Sequence, residues 1–237
     1  MSSTYGYLSG YNKPKGMAAQ CNRLRELFSG IGFANNIDLF DSIEKGEVVL
    51  PANTEGWFAI PNWIKNPAIF GDTYNSALQK VLDTIKTTRN GKFYNYRDGQ
   101  LGPKRLRQSA RTQEFFRGLS EAQGNPDILI VAAQFGFRHR GRSVRRAREI
   151  IVSTSGEFGL GAFAVGVMIL THPERLMNYD DLWIDCAGDE YDGPDSPGRF
   201  GRAPCFRFGG GGVEFDASTV DRARGHYGSA SGVVPQN

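Results

Sequence analysis

Cysteine is scarce in this chain: three residues in 237, Cys21, Cys186 and Cys205, an odd number with no C-x-x-C spacing. That excludes a disulfide framework and a cysteine-built zinc site, and makes a reducing cytoplasmic setting the expectation. Histidine is equally sparse, and His139, His172 and His226 show no H-x-x-x-H pairing, so a histidine zinc site is not indicated either. Long apolar runs are missing. The longest, residues 162–170, is interrupted by Gly166 and falls far short of the roughly 18 residues of a membrane span. The first residues, MSSTYGYLSGYNKPKG, lack the charged-then-apolar layout of a secretory leader, so export by that route is not expected. No repeat of fixed period is visible.

What is present is an ordinary globular composition, 40% hydrophobic and 22% charged, long enough for one sizeable core. The net charge of +3 hides two opposed stretches. Between Lys86 and Arg148, fifteen cations face four anions, a surplus of +11; between Glu174 and Asp221, eleven anions face four cations, a deficit of −7. Arginine dominates the basic stretch, and its planar fork suits bidentate recognition of phosphate or carboxylate. Either the acidic stretch folds onto the basic one, or the arginines stay open to an external anion.

Residues 1–16 carry Tyr5, Tyr7 and Tyr11 without periodicity and read as a flexible arm, leaving 17–237 as one α+β domain. Helices are expected over 17–29, after Asn36, and over 73–90 behind an Asp72 cap. Further helices are expected from Pro103 to about Ala122, from Ser143 to Ile151, where the length leaves a strand open, and from Ser218 to about His226. Residues 48–50, 57–60, 92–96, 128–133, 162–170, 182–186, 205–208 and 213–216 read as strands, the last two joined across a run of four glycines as a hairpin. Helices thus concentrate in the N-terminal half and a mixed or antiparallel sheet in the C-terminal half.

The sharpest segment is FGFRHRGRSVRRARE, residues 135–149. Six arginines and His139 in fifteen positions cannot all enter a core unpaired, and Phe135 and Phe137 beside them suit a surface where bases stack and phosphates pair. The leading expectation is a nucleic-acid-binding protein with little sequence preference, using Arg138, His139, Arg140, Arg142, Arg145, Arg146 and Arg148, extended by Arg105, Arg107 and Arg111. Five neutralised phosphates would give a log–log salt slope of about −4 to −5 on duplex DNA. Internal pairing, an acidic protein partner and a small phosphorylated ligand remain open beside it.

YDDLWIDCAGDEYDGPD, residues 179–195, offers a second chemistry. Asp181, Asp185, Asp189 and Glu190 would, if convergent, hold Mg²⁺ or Mn²⁺ for a metal-dependent phosphodiesterase; a solvated loop or a counter-surface for the arginines is the plainer reading, with no cofactor. His172, followed by Pro173 and Glu174, reads as a structural or loop histidine, the alternative being an acid–base pair with Glu174 or another nearby carboxylate. A third class is an assembly protein that self-associates through its basic and acidic faces.

LFSGIG, residues 27–32, resembles the cofactor loop of cytosine-5 DNA methyltransferases, but it follows a helix instead of a strand, and Phe206 stands where that family's Pro-Cys dipeptide is followed by glutamine. FRHRGRSVRRARE, AVGVMILTHPERL and DDLWIDCAGDEY together resemble stretches of uncharacterised bacterial proteins over most of residues 55–237, a resemblance that implies no activity.

Overall fold

The structure is a computed structural model that describes residues 3–32, 37–194, 196 and 198–234. Its helices are α1 (Met17–Leu27), α2 (Ile37–Glu44), α3 (Pro67–Phe70), α4 (Tyr74–Thr88), α5 (Ala110–Ala122), α6 (Val144–Ser153) and α7 (Ala162–Thr171). Its strands are β1 (Gly56–Pro61), β2 (Phe93–Asn95), β3 (Leu106–Gln108), β4 (Ile128–Gln134), β5 (Glu157–Gly159), β6 (Trp183–Asp185), β7 (Asp189–Tyr191), β8 (Arg202–Gly209), β9 (Gly212–Thr219), β10 (Tyr227–Ser229) and β11 (Ser231–Val233). This is an α+β fold with mixed sheets, helices weighted to the N-terminal side and strands to the C-terminal side.

Two sheets share the work. One is antiparallel in the order β1-β4-β11-β5, with β4 buried along its whole length, as its unbroken ILIVAA run requires. The other runs β10-β6-β8-β7-β3, with β9 along β8 and β2 beside β9; β10 joins β6 and β2 joins β9 in parallel, the rest antiparallel. The β8–β9 hairpin turns at Gly210 and Gly211, whose φ values of 58° and 81° are the left-handed pair a two-residue turn needs.

Residues 162–170 are a helix, not the expected strand. Every residue of α7 is buried, and it packs against α4, against β1 of one sheet and against β8 of the other. A segment apolar on all sides has no stripe, so periodicity cannot separate a fully buried helix from a central strand. Gly166 is where this packing is closest: a Cβ there would sit 2.7 Å from Val81 Cγ1 of α4. The helix start is fixed by Asp189 of β7, whose carboxylate accepts from Ala162 N at 2.7 Å and from the Tyr74 hydroxyl.

Four other expectations change. Thr73, not Asp72, caps α4, in a reciprocal pair with Ser76. Pro103 opens no helix: Arg105 lies in a loop, Arg107 in β3, and α5 starts behind a Ser109 cap. Residues 48–50 form no strand, and the stretch after Ser218 forms a strand end, a turn and β10 instead of a helix. The expected Asn36 cap and Asp195 lie outside the described residues.

Residues 3–16 lie against the body. Gly6 bridges to Asp181, Tyr11 is buried, and the Tyr7 and Tyr11 hydroxyls both donate to Glu55. Arg175, fully buried, sits 3.8 Å from the Tyr7 ring centroid and donates to Leu182 O. Beyond that one backbone bridge the segment is held largely through side chains, hence its lack of periodicity.

Candidate anion-binding cleft

The arginine segment leaves β4 through Gly136, where φ is 126° and a Cβ would stand 2.6 Å from Gly228 O of β10, so only glycine allows this approach. A short 3-10 turn (Phe137–His139) follows, then α6, capped by the Ser143 hydroxyl accepting from Arg146 N. The turn points Arg138 and His139 inward. Glu157 of β5, fully buried, accepts from Arg138 Nε and Nη2, each at 3.0 Å, and from Ser231 Oγ at 2.7 Å; His139 Nε2 lies 2.9 Å from the same carboxylate. Burial works to raise this carboxyl, but the hydrogen bonds from His139, Arg138 and Ser231 outweigh it and hold the pKa down to about 2.

The other arginines divide between two kinds of partner. Arg145 pairs with Asp221, Arg146 with Glu149 at 2.7 Å, and Arg107 with Glu190 at 2.7 Å. Arg140 donates to Tyr5 O, Arg142 to Arg138 O, Arg148 to Ala187 O and Asp189 O, Arg105 to Asp192 O, and Arg111 to Glu157 O. A backbone carbonyl occupies a donor without cancelling the charge, so this second group remains cationic.

Four guanidinium groups gather at one concavity. Arg107 of β3, Arg145 and Arg148 of α6, and Arg199 of the loop before β8 line a cleft of about 640 Å³ together with Glu190 and Asp221, four cations to two anions and hence a surplus of +2. Three backbone or ring contacts shape it. Arg145 N donates to Val220 O at 2.9 Å, Val220 N donates to Gly201 O, and the Arg107 guanidinium lies 3.8 Å from the centroid of the Phe200 ring. Phe200 holds a left-handed φ of 55°, uncommon for a residue with a side chain. Arg199 is exposed and pairs with no carboxylate among the described residues. Sequence reasoning missed it, because it sits inside the acidic stretch; its local signal is GRFGR, residues 198–202.

Thus Arg107, Arg145 and Arg148 come together, while Arg138 and His139 are turned inward and Arg146 pairs along its own helix. Arg105, Arg111, Arg140 and Arg142 do not line the cleft.

The acidic candidates do not converge. Asp181 accepts from the backbone of Leu8, Ser9, Met177 and Asn178; Asp189 caps α7; Glu190 faces Arg107. Asp185 is buried, its Oδ1 has no hydrogen-bond partner among the described residues, and burial pushes its pKa up to about 8. No three His, Cys, Asp or Glu side chains among the described residues are grouped to hold a metal ion. His172 is buried, accepts from Lys15 N at 2.9 Å, and is pushed down to about 4 by burial. Burial likewise raises the Cys205 thiol to about 12, which removes it as a thiolate nucleophile. Among the described residues, no helix is long and apolar enough to cross a membrane.

No protein-family model, curated protein or solved structure matches the chain.

Proposed function

We propose that this protein binds nucleic acid through its phosphates, and that the contact is the concave cleft of Arg107, Arg145, Arg148 and Arg199 rather than the whole arginine segment. The observation that carries this reading is Arg199, a guanidinium with no carboxylate partner among the described residues, lining one cleft with three others at a surplus of +2. A phosphate entering the cleft meets charge-assisted donors and displaces only the exposed pairs of Arg145 and Arg107, which contribute little by themselves. Phosphate contacts position a strand without reading its bases, so little sequence preference follows.

The cleft is small, and that changes the expected salt response. Two to three neutralised phosphates on a single strand correspond to a slope of about −1.5 to −2, well below the value for five phosphates on a duplex. Anisotropy of a labelled single-stranded oligonucleotide at several salt concentrations measures it. Arg199→Gln is expected to weaken binding about tenfold, as loss of one charge-assisted hydrogen bond does, with the melting temperature unchanged because the side chain is exposed. Affinity indifferent to salt, or unaffected by Arg199→Gln combined with Arg145→Gln, removes the proposal.

A further inference from the structure

A second cleft, of about 460 Å³, takes Leu106 and Gln108 of β3 into its lining, and Arg107 between them belongs to the lining of both clefts. The two differ in chemistry. The floor of this one is apolar, made by Ile60, Leu106, Phe116, Leu129 and Phe163, and the Trp63 and Tyr74 rings stand 6.1 Å apart at its wall. Amide and hydroxyl groups interrupt that surface: Asn62 donates to Ser120 Oγ at 2.8 Å, and Gln108 and Gln113 stand nearer the solvent. At the rim, Lys65 and Arg117 are exposed and pair with no carboxylate among the described residues, and Arg107 brings the cations to three against the single anion Glu121.

A site of this size with an apolar floor, aromatic walls and a few side-chain amides fits one flat, polar-edged ring. Side-chain amides are the groups that hydrogen-bond base edges, and aromatic faces are what unstacked bases lie upon. The cationic rim favours a ring attached to a negatively charged group, and the shared Arg107 places that group toward the arginine cleft.

We infer that the second cleft takes an unpaired nucleobase of a strand whose phosphate is held by the arginine cleft, so that β3 is the divider between base and backbone subsites. This rests on the reading of the arginine cleft as the phosphate site. It implies a single-stranded ligand, because a base paired in a duplex must be unpaired and unstacked before it can enter.

The test compares hexadeoxyadenylate with an abasic hexamer carrying the same phosphates, by calorimetry and by tryptophan emission. The base-bearing strand is expected to bind at least tenfold more tightly, since base stacking on aromatic side chains contributes on the order of 1–3 kcal/mol per base. Gln113→Tyr, which fills the mouth from an exposed position, should abolish that difference and leave the abasic strand's affinity unchanged. Emission should change with hexadeoxyadenylate in the native chain and not in Trp63→Phe. Equal affinity for the two strands overturns the base subsite and leaves the phosphate site standing. A tenfold preference that survives Gln113→Tyr, with Trp63 silent, overturns it as well, because the base is then elsewhere. No binding of either strand overturns the phosphate reading, and this inference falls with it.

Discussion

The basic stretch of residues 86–148 and the acidic stretch of residues 174–221 carry opposite charge, yet they neutralise each other only in part. Arg107 meets Glu190 and Arg145 meets Asp221, both at the cleft and both exposed or half-exposed. Away from the cleft Arg97 meets Asp216 at 2.8 Å, and Arg207 pairs with Glu214 and Asp216 within the acidic stretch; many of the remaining charges are spent on the backbone. Asp181 gathers amides of the N-terminal segment and of residues 177–178, and Asp189 takes the first amide of α7. Arg148, Arg140 and Arg111 take carbonyls. Loops and helix ends leave orphan backbone groups, and a nearby charge that satisfies them gains a charge-assisted hydrogen bond without needing a partner ion. The consequence is asymmetric. The acidic side chains that do this are buried, whereas the basic ones retain uncancelled charge near the surface, which is why a cationic concavity survives.

The largest test of that asymmetry is where Arg138 of the basic stretch meets the fully buried Glu157. Glu157→Gln leaves Arg138 without its counter-ion, in contact with a buried neutral amide, and is expected to cost about 3–5 kcal/mol in denaturant unfolding. The pH response of the native pair has a defined sign. The folded pKa of Glu157 is depressed to about 2, so its contribution is present above the ordinary glutamate pKa and is lost as pH falls through the window from about 4.5 to about 2. A variant as stable as the native chain would mean that Glu157 is not what holds the turn of Arg138 and His139.

The acidic stretch is expected to respond in the opposite direction. Asp185 is buried with an oxygen that has no partner among the described residues, next to the likewise unpartnered Ser229 Oγ of the adjoining strand, and its folded pKa is raised to about 8. A raised carboxyl pKa means that the folded state holds the proton more tightly, so the stability it contributes is complete below the ordinary aspartate pKa and is lost as pH rises through about 8. Asp185→Asn removes that loss. The variant should gain about 1–3 kcal/mol on the native chain above pH 8, relative to their difference near pH 4, as read from paired unfolding curves. A difference independent of pH would show that Asp185 is ionised when folded.

Much of the architecture follows from patterns visible in the sequence. The stripe of Ala77, Leu78, Val81, Leu82 and Ile85 gave α4, the ILIVAA run gave β4, Ser143 gave the start of α6, and the glycine run gave the β8–β9 turn. What escaped had no local signature. Strands β3, β5, β7, β10 and β11 are three residues each, too short for period-two alternation to register, and they exist because neighbouring strands offer them hydrogen bonds. The cleft escaped for a related reason. Its cations come from β3, α6 and the 198–201 loop, and counting charge along the chain assigned Arg199 to the acidic side and ranked Arg146 beside Arg145 although one helical step separates their directions.

That last pair yields the smallest effect and the finest discrimination. Arg145 and Arg146 are adjacent, both exposed, both paired with an exposed carboxylate, and chain position treats them as equals. Arg145 lines the cleft and Arg146 points along its own helix to Glu149. Replacing Arg146 by glutamine should alter stability by less than about 0.5 kcal/mol, since an exposed i,i+3 pair contributes little, and should change oligonucleotide affinity less than twofold at moderate salt. Arg145→Gln, by contrast, should reduce both the affinity and the salt slope. Equal losses from the two substitutions would mean that the ligand follows α6 as a diffuse basic surface, and the concavity would then have no special standing.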